Sequence, residues 1–160
     1  MSLSEPAISF RELFAYTDYL ANRWFGYFTD NETAFAIDIG GQTRTLRKLV
    51  EHIVQVEQFF ASRLLGQEPP ADKPEFSGST DLLQLHQDAN AKFEAFLRAS
   101  DDEKLRGTQM LGSRKVSNRK MLAQAALHSV HHWAQVAMEV RQAGFPTGKP
   151  QDFIVTDVME

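Results

Sequence analysis

The 160-residue chain contains no cysteine, which excludes disulfide staples and thiolate ligands. Any transition-metal site in it has to be built from His, Asp or Glu. It also lacks a run of about 18 consecutive apolar residues, so no membrane-spanning helix is expected. The opening MSLSEPAISF has no basic stretch followed by an apolar core. No secretory signal is expected from it, and a cytoplasmic location fits. Positive charge is not in excess either: the formal net charge is −4 and the pI about 5.7. Nucleic-acid binders rest their affinity on neutralised phosphates and carry a basic footprint. The nearest candidate, GSRKVSNRK at residues 112–120, reads as a solvated loop and helix start. Neither nucleic acid nor membrane is expected as a partner.

What is present is apolar surface in periodic blocks. The length suits one domain over residues 1–160, long enough to bury roughly 70% of the surface of its unfolded form, and 12 Phe supply large core pieces. Residues 10–28 place Phe10, Leu13, Phe14, Thr17, Ala21, Trp24 and Phe28 on one helical stripe, with Phe25 and three tyrosines off it. So wide an aromatic girth predicts a second contact surface (a dimer face or a pocket wall) or cover by loops. FAIDI suits a short extended piece, and Gly40-Gly41 a tight turn.

A second helix is expected from Thr45 to Leu65, stopping at Gly66, with Leu46, Leu49, Val50, Ile53, Val56, Phe60 and Leu64 inward. GQEPPADKPEFSGS is a loop by its prolines and glycines. Ser79 or Thr80 can cap a third helix ending near Ser100, with Leu82, Leu85, Ala89, Phe93, Phe96 and Leu97 inward. SDDE at residues 100–103 matches a capping box for a short turn. A small hairpin is expected around Gly112-Ser113. Ser117 then caps a fourth long helix running to about Ala143, before Gly144 and Pro146. Phe153, Ile154 and Val155 are expected to pack back onto the body. Four long helices with little strand signal predict an all-α four-helix bundle.

Three of the five histidines fall within LHSVHHW at residues 127–133. His128 and His132 are four apart, so their rings share one face of the helix and can converge on a single ion. His131 lies about 60° from His128 on the other side and points away. The pair flanks the apolar stripe of Leu122, Ala126, Trp133, Ala137 and Val140 instead of occupying its centre. His52 sits at the edge of the second helix's stripe, beside Leu49 and Val56, and leans towards a groove between helices. His86, followed by Gln87 and Asp88, reads as exposed. Spacing alone leaves two readings open. One is a three-histidine metal site, the other a set of partly exposed polar residues.

The order of these elements resembles the DinB/YfiT-like family of small metal-dependent proteins across nearly the whole chain. HIVQVEQFFASRLLG (52–66) fits that family's pattern HIxxxExFxxxRLxG, and HSVHHWAQVAMEVRQAGFP (128–146) fits its His-x-x-x-His segment. The family's common Arg-Gly after the last histidine is Trp133-Ala134 here, while Gln135 is kept. The resemblance implies His52, His128 and His132 as metal ligands, a bundle with an unusual chain path, and a homodimer.

Three neutral imidazoles leave a coordination position open, the pattern of catalytic and not structural zinc. Zinc or nickel is the expected ion, with iron or manganese next. Such an ion lowers the pKa of a bound water or activates a thiolate. The resemblance favours the second, and so a thiol-dependent transferase over a hydrolase, acting on a small-molecule substrate with a low-molecular-weight thiol. A hydrolase would need a base. Glu139 lies too far along the helix, and Glu57 and Asp38 read as surface carboxylates unless the fold brings them close. The alternative from a different class is a non-catalytic metal- or ligand-binding stress-response module.

Overall fold

The computed structural model describes residues 8–69, 78–147 and 156–158. In chain order the elements are α1 (Phe10–Asp30), a 3-10 turn (Glu32–Ala36), β1 (Asp38–Gly40), β2 (Arg44–Thr45) and α2 (Leu46–Leu64). There follow α3 (Ser79–Arg98), the short α4 (Asp102–Arg106), β3 (Thr108–Leu111), β4 (Arg114–Ser117) and α5 (Asn118–Gln142). The four long helices form the all-α bundle that the periodicity predicts. α1 and α2 both pack against α3 and α5, so α1 stands diagonally opposite α2, and α3 opposite α5. The expected packing of Phe153, Ile154 and Val155 concerns positions outside the described residues, as does most of the proline-rich loop.

Local chemistry explains most of the boundaries. Ser9 and Glu12 form a reciprocal capping box that starts α1. Thr45 and Ser117 cap α2 and α5 by accepting from the N–H of Lys48 and Lys120. Gly66, at φ 69°, ends α2 while Gln67 N–H reaches back to the Ser62 carbonyl, a left-handed closure that glycine allows without strain.

Two caps differ from expectation. α3 begins at Ser79 behind Gly78, with no side-chain cap. The α4 cap is Asp101, which accepts from Lys104 N–H, because the Ser100 hydroxyl is already donating to the Phe96 carbonyl. The FAIDI segment splits: Phe35 and Ala36 lie in the 3-10 turn, and only Asp38–Gly40 pair with Arg44–Thr45. β3 and β4 form the antiparallel hairpin around Gly112-Ser113, with Leu111 opposite Arg114. Part of the basic stretch at 112–120 is therefore strand, with Arg114, Lys115, Arg119 and Lys120 all exposed.

The core forms two clusters. One gathers Trp24, Phe25, Phe28, Ile53 and Trp133, with Tyr16, Tyr19 and Tyr27 packed against it. The α1 aromatics thus face their own bundle, and Trp133 meets Phe25 edge-to-face at 5.7 Å. The other cluster gathers Phe14, Phe93, Phe96 and Leu122. Each such side chain stabilises by roughly 1.5–3 kcal/mol on burial.

The inward face of α2 departs from the simple apolar stripe. In its second half Glu57, Gln58, Ala61 and Ser62 are buried, whereas Val56 and Phe60 are only partly so. Hydrogen bonds across the bundle compensate for that polarity, as described below.

Candidate metal centre

α2 carries His52 and α5 carries His128 and His132, each partly buried where the two helices pack. One nitrogen from each of the three rings lies within 4.8 Å of the others. Nε2 of His128 stands 3.1 Å from Nε2 of His52. The ring centroids are 4.9 Å apart for His52 and His128, 5.2 Å for His52 and His132, and 4.4 Å for His128 and His132. Three ligands at about 2.1 Å around a tetrahedral ion would have their nitrogens about 3.4 Å apart. The cluster needs only small side-chain adjustments to meet that. These three residues are the set that the sequence resemblance implies.

The electrostatics also suit a cation. Burial, followed by the neighbouring rings of His132, His52 and His131, pushes the His128 imidazole down to about 4. It is therefore neutral at pH 7, with a lone pair to offer. Its Nδ1 is buried without a partner, so the polar character of this ring is spent on the Nε2 side, facing His52. His132 directs Nδ1 at the Gln135 side-chain oxygen, 3.0 Å away. Gln135 accepting there places the proton on Nδ1 and leaves Nε2 free to ligate. Spacing gave a signal for this partner, three residues along the same helix, but the sequence did not single it out.

His131 is exposed, with its ring centroid 5.1 Å from that of His132, and it lies outside the three-donor cluster. Asp38 is an exposed carboxylate that accepts from Gly40 N–H. Among the described residues no carboxylate joins the three histidines in one cluster. The residues present fit a divalent ion.

Two expectations about polar residues are overturned. His86 is fully buried, at 0% exposure, and Glu57 is 3% exposed. His86 belongs to the inward row Leu82, His86, Ala89, Phe93, Phe96, a strict alternation of four and three. Glu57 follows Ile53 by four on α2. The periodicity located both; their polarity obscured it. His86 Nδ1 lies 2.7 Å from Glu57 Oε2, and its Nε2 lies 3.1 Å from Asp18 Oδ1. Burial opposes charge on His86, but the Glu57 carboxylate and the Asp18 contact outweigh it and raise the ring to about 9. The hydrogen bond from His86 in turn lowers Asp18, against the opposing effect of its own burial.

Comparison with solved structures shows the same fold elsewhere. A DinB-like protein from Bacillus cereus superposes with a TM-score of 0.70 at 19% identity, covering 88% of this chain and 95% of that one. A DinB-like protein from Bacillus subtilis gives a TM-score of 0.60 at 24% identity, covering 86% and 90%. No curated protein matches the chain. The sequence profile of the DinB family matches residues 11–152, which take in all three clustered histidines and all but the first residue of the four long helices. By that match, the chain belongs to the DinB family.

Proposed function

We propose that the protein binds a divalent metal ion through His52, His128 and His132 and uses it to act on small molecules. The observation that carries this reading is the approach of the three donor nitrogens to within 4.8 Å of one another. A divalent ion held by three imidazoles keeps a coordination position for a small molecule and supplies Lewis-acid activation there. His128 contributes a neutral ring because it is buried, and His132 contributes Nε2 because Gln135 accepts from its Nδ1. Zinc and nickel suit an all-imidazole donor set, and iron and manganese come next.

Thiol-dependent transfer is favoured over hydrolysis. The family resemblance supports this preference, and among the described residues no carboxylate joins the three rings as a further ligand. Glu57, one of the sequence candidates for a base, is buried and engaged with His86 and Ser129. A low-molecular-weight thiol, acidified at the centre, would attack a small electrophile. The protein acts as a homodimer in this reading. The three-histidine centre also suits a second reading, in which the ion anchors a ligand in a non-catalytic stress-response module.

Elemental analysis of protein purified without a metal-affinity tag, beside a His128→Ala variant, tests the centre. Stoichiometric metal in the parent and little in the variant is expected; equal metal in both would sink the site. Thiol conjugation to a generic electrophile, assayed with several cellular thiols, separates the two chemical readings. Turnover that disappears with chelator supports the transferase, and none with any thiol supports the binding module.

A further inference from the structure

Alongside the three histidines, one side chain from each long helix joins a hydrogen-bonded chain through the bundle. The Ser129 hydroxyl on α5 donates to Glu57 Oε1 on α2 at 2.6 Å. Glu57 Oε2 faces His86 Nδ1 on α3 at 2.7 Å, and His86 Nε2 faces Asp18 Oδ1 on α1 at 3.1 Å. Asn90 Nδ2 also donates to that Asp18 oxygen, at 3.0 Å. Ser129, Glu57 and His86 are 1%, 3% and 0% exposed. Asp18 reaches a groove of about 350 Å³ between α1 and α3, shared with Arg11, Gln87, Asn90 and Glu94.

The geometry suits a doubly protonated ring. Both oxygens of Glu57 receive hydrogen bonds, one from a hydroxyl and one from a ring nitrogen. Both nitrogens of His86 face carboxylate oxygens, which an imidazolium satisfies by donating twice. Charged groups at this depth lose hydration worth several kcal/mol each, and a well-packed apolar set is often as stable or more so. Stability alone therefore gives little reason for such a chain. Fixing one helix against another is the better-attested use of buried polar groups.

Its location says which helices are fixed. Ser129 is the residue after His128, and Glu57 lies five beyond His52 on α2. The Ser129–Glu57 bond therefore ties together the same two helices that supply the three histidines. A metal centre tolerates errors of only about 0.2 Å in its ligand distances, so a small slide or rotation of α5 on α2 would spoil it. Ser129 itself is no nucleophile, being buried and donating to a carboxylate.

We propose that Glu57 and His86 are positioning residues for the three-histidine centre, holding α5 in register with α2 through Ser129. This rests on reading the centre as a metal site. Glu57 accepts from Ser129, His86 holds Glu57 from behind, and Asp18 with Asn90 secures the far side of His86.

The test is cobalt(II) titration of the full chain, following the visible absorption bands and the Kd. The variants are Ser129→Ala, Ser129→Thr, His86→Gln and, as a core control away from the chain, Phe96→Leu. Circular dichroism checks that each is folded. Ser129→Ala and His86→Gln are expected to weaken cobalt binding about 10–100-fold and to alter the bands. Ser129→Thr, which keeps the hydroxyl, is expected to restore both, and Phe96→Leu to leave both unchanged even where its Tm falls. Wild-type Kd and spectrum in folded Ser129→Ala and His86→Gln would overturn the proposal while leaving the metal site standing. Equal weakening in Phe96→Leu would overturn it too, by reducing the effect to general stability. Absence of cobalt binding by the parent chain would overturn the metal site and this proposal together.

Discussion

His52 and His128 approach to 3.1 Å between their Nε2 atoms although 76 positions separate them in the chain. Two rings held that close can share a hydrogen bond in the metal-free state, but only one can donate it. An ion replaces that compromise with two ligand bonds. Metal binding should therefore stabilise the fold strongly. At an ion concentration about 100 times the Kd, linkage gives about 2.7 kcal/mol, or a Tm rise of about 5–10 °C for a chain this size. Thermal melts with and without zinc or nickel measure it. His52→Ala should remove the rise, and His131→Ala, changing an exposed residue outside the cluster, should keep it.

Gln135 sets the tautomer of His132 by accepting from Nδ1 at 3.0 Å. Gln135→Leu keeps the volume and removes the acceptor, so the ring is free to turn or to carry its proton on Nε2. Metal affinity should fall about 10–100-fold. Gln135 is only partly buried, so global stability should change by less than about 1 kcal/mol. Calorimetric titration beside urea unfolding checks both halves, and an unchanged Kd would remove Gln135 from the centre.

Trp133, the residue after His132, is fully buried against Phe25. Trp133→Ala should cost about 3–5 kcal/mol through the cavity it leaves, while Trp133→Phe keeps the aromatic contact and should cost less. Leu127→Ala, at a position 62% exposed one helix face away, should change stability by less than about 0.5 kcal/mol. Urea midpoints of the three variants rank them. A Trp133→Ala effect no larger than that of Leu127→Ala would contradict the packing.

The long helices and the three histidines were legible because both depend on short-range periodicity. His128 and His132 share a face by their spacing, and His52 stood out once the family pattern around it was matched. His86 and Glu57 run against their sequence expectation for a physical reason. A lone titratable residue on an apolar stripe looks exposed unless its partner is known, and these partners lie 29 residues apart on different helices. Each justifies the burial of the other, so neither can be placed alone. The α4 cap slipped by one residue because Ser100 had a competing acceptor, the Phe96 carbonyl, that spacing does not show.

His86 should also leave a mark on the pH dependence of stability. Its ring is raised from 6.5 to about 9 by the Glu57 and Asp18 carboxylates, against the effect of burial, and Asn90 is the other polar group at its Nε2. A group with a higher pKa in the folded state binds its proton more tightly there. The stabilisation is therefore complete below about pH 6.5 and is lost as the pH climbs through about 9. A shift of this size corresponds to about 3 kcal/mol. Urea unfolding of the metal-free protein at pH 6, 7.5 and 9.5 should show stability falling across that range. His86→Gln should be less stable at pH 6 and nearly flat over the same interval. A parent profile as flat as the variant's would mean that His86 is buried neutral, with Nε2 accepting from Asn90, and the carboxylate–imidazolium chain would have to be redrawn.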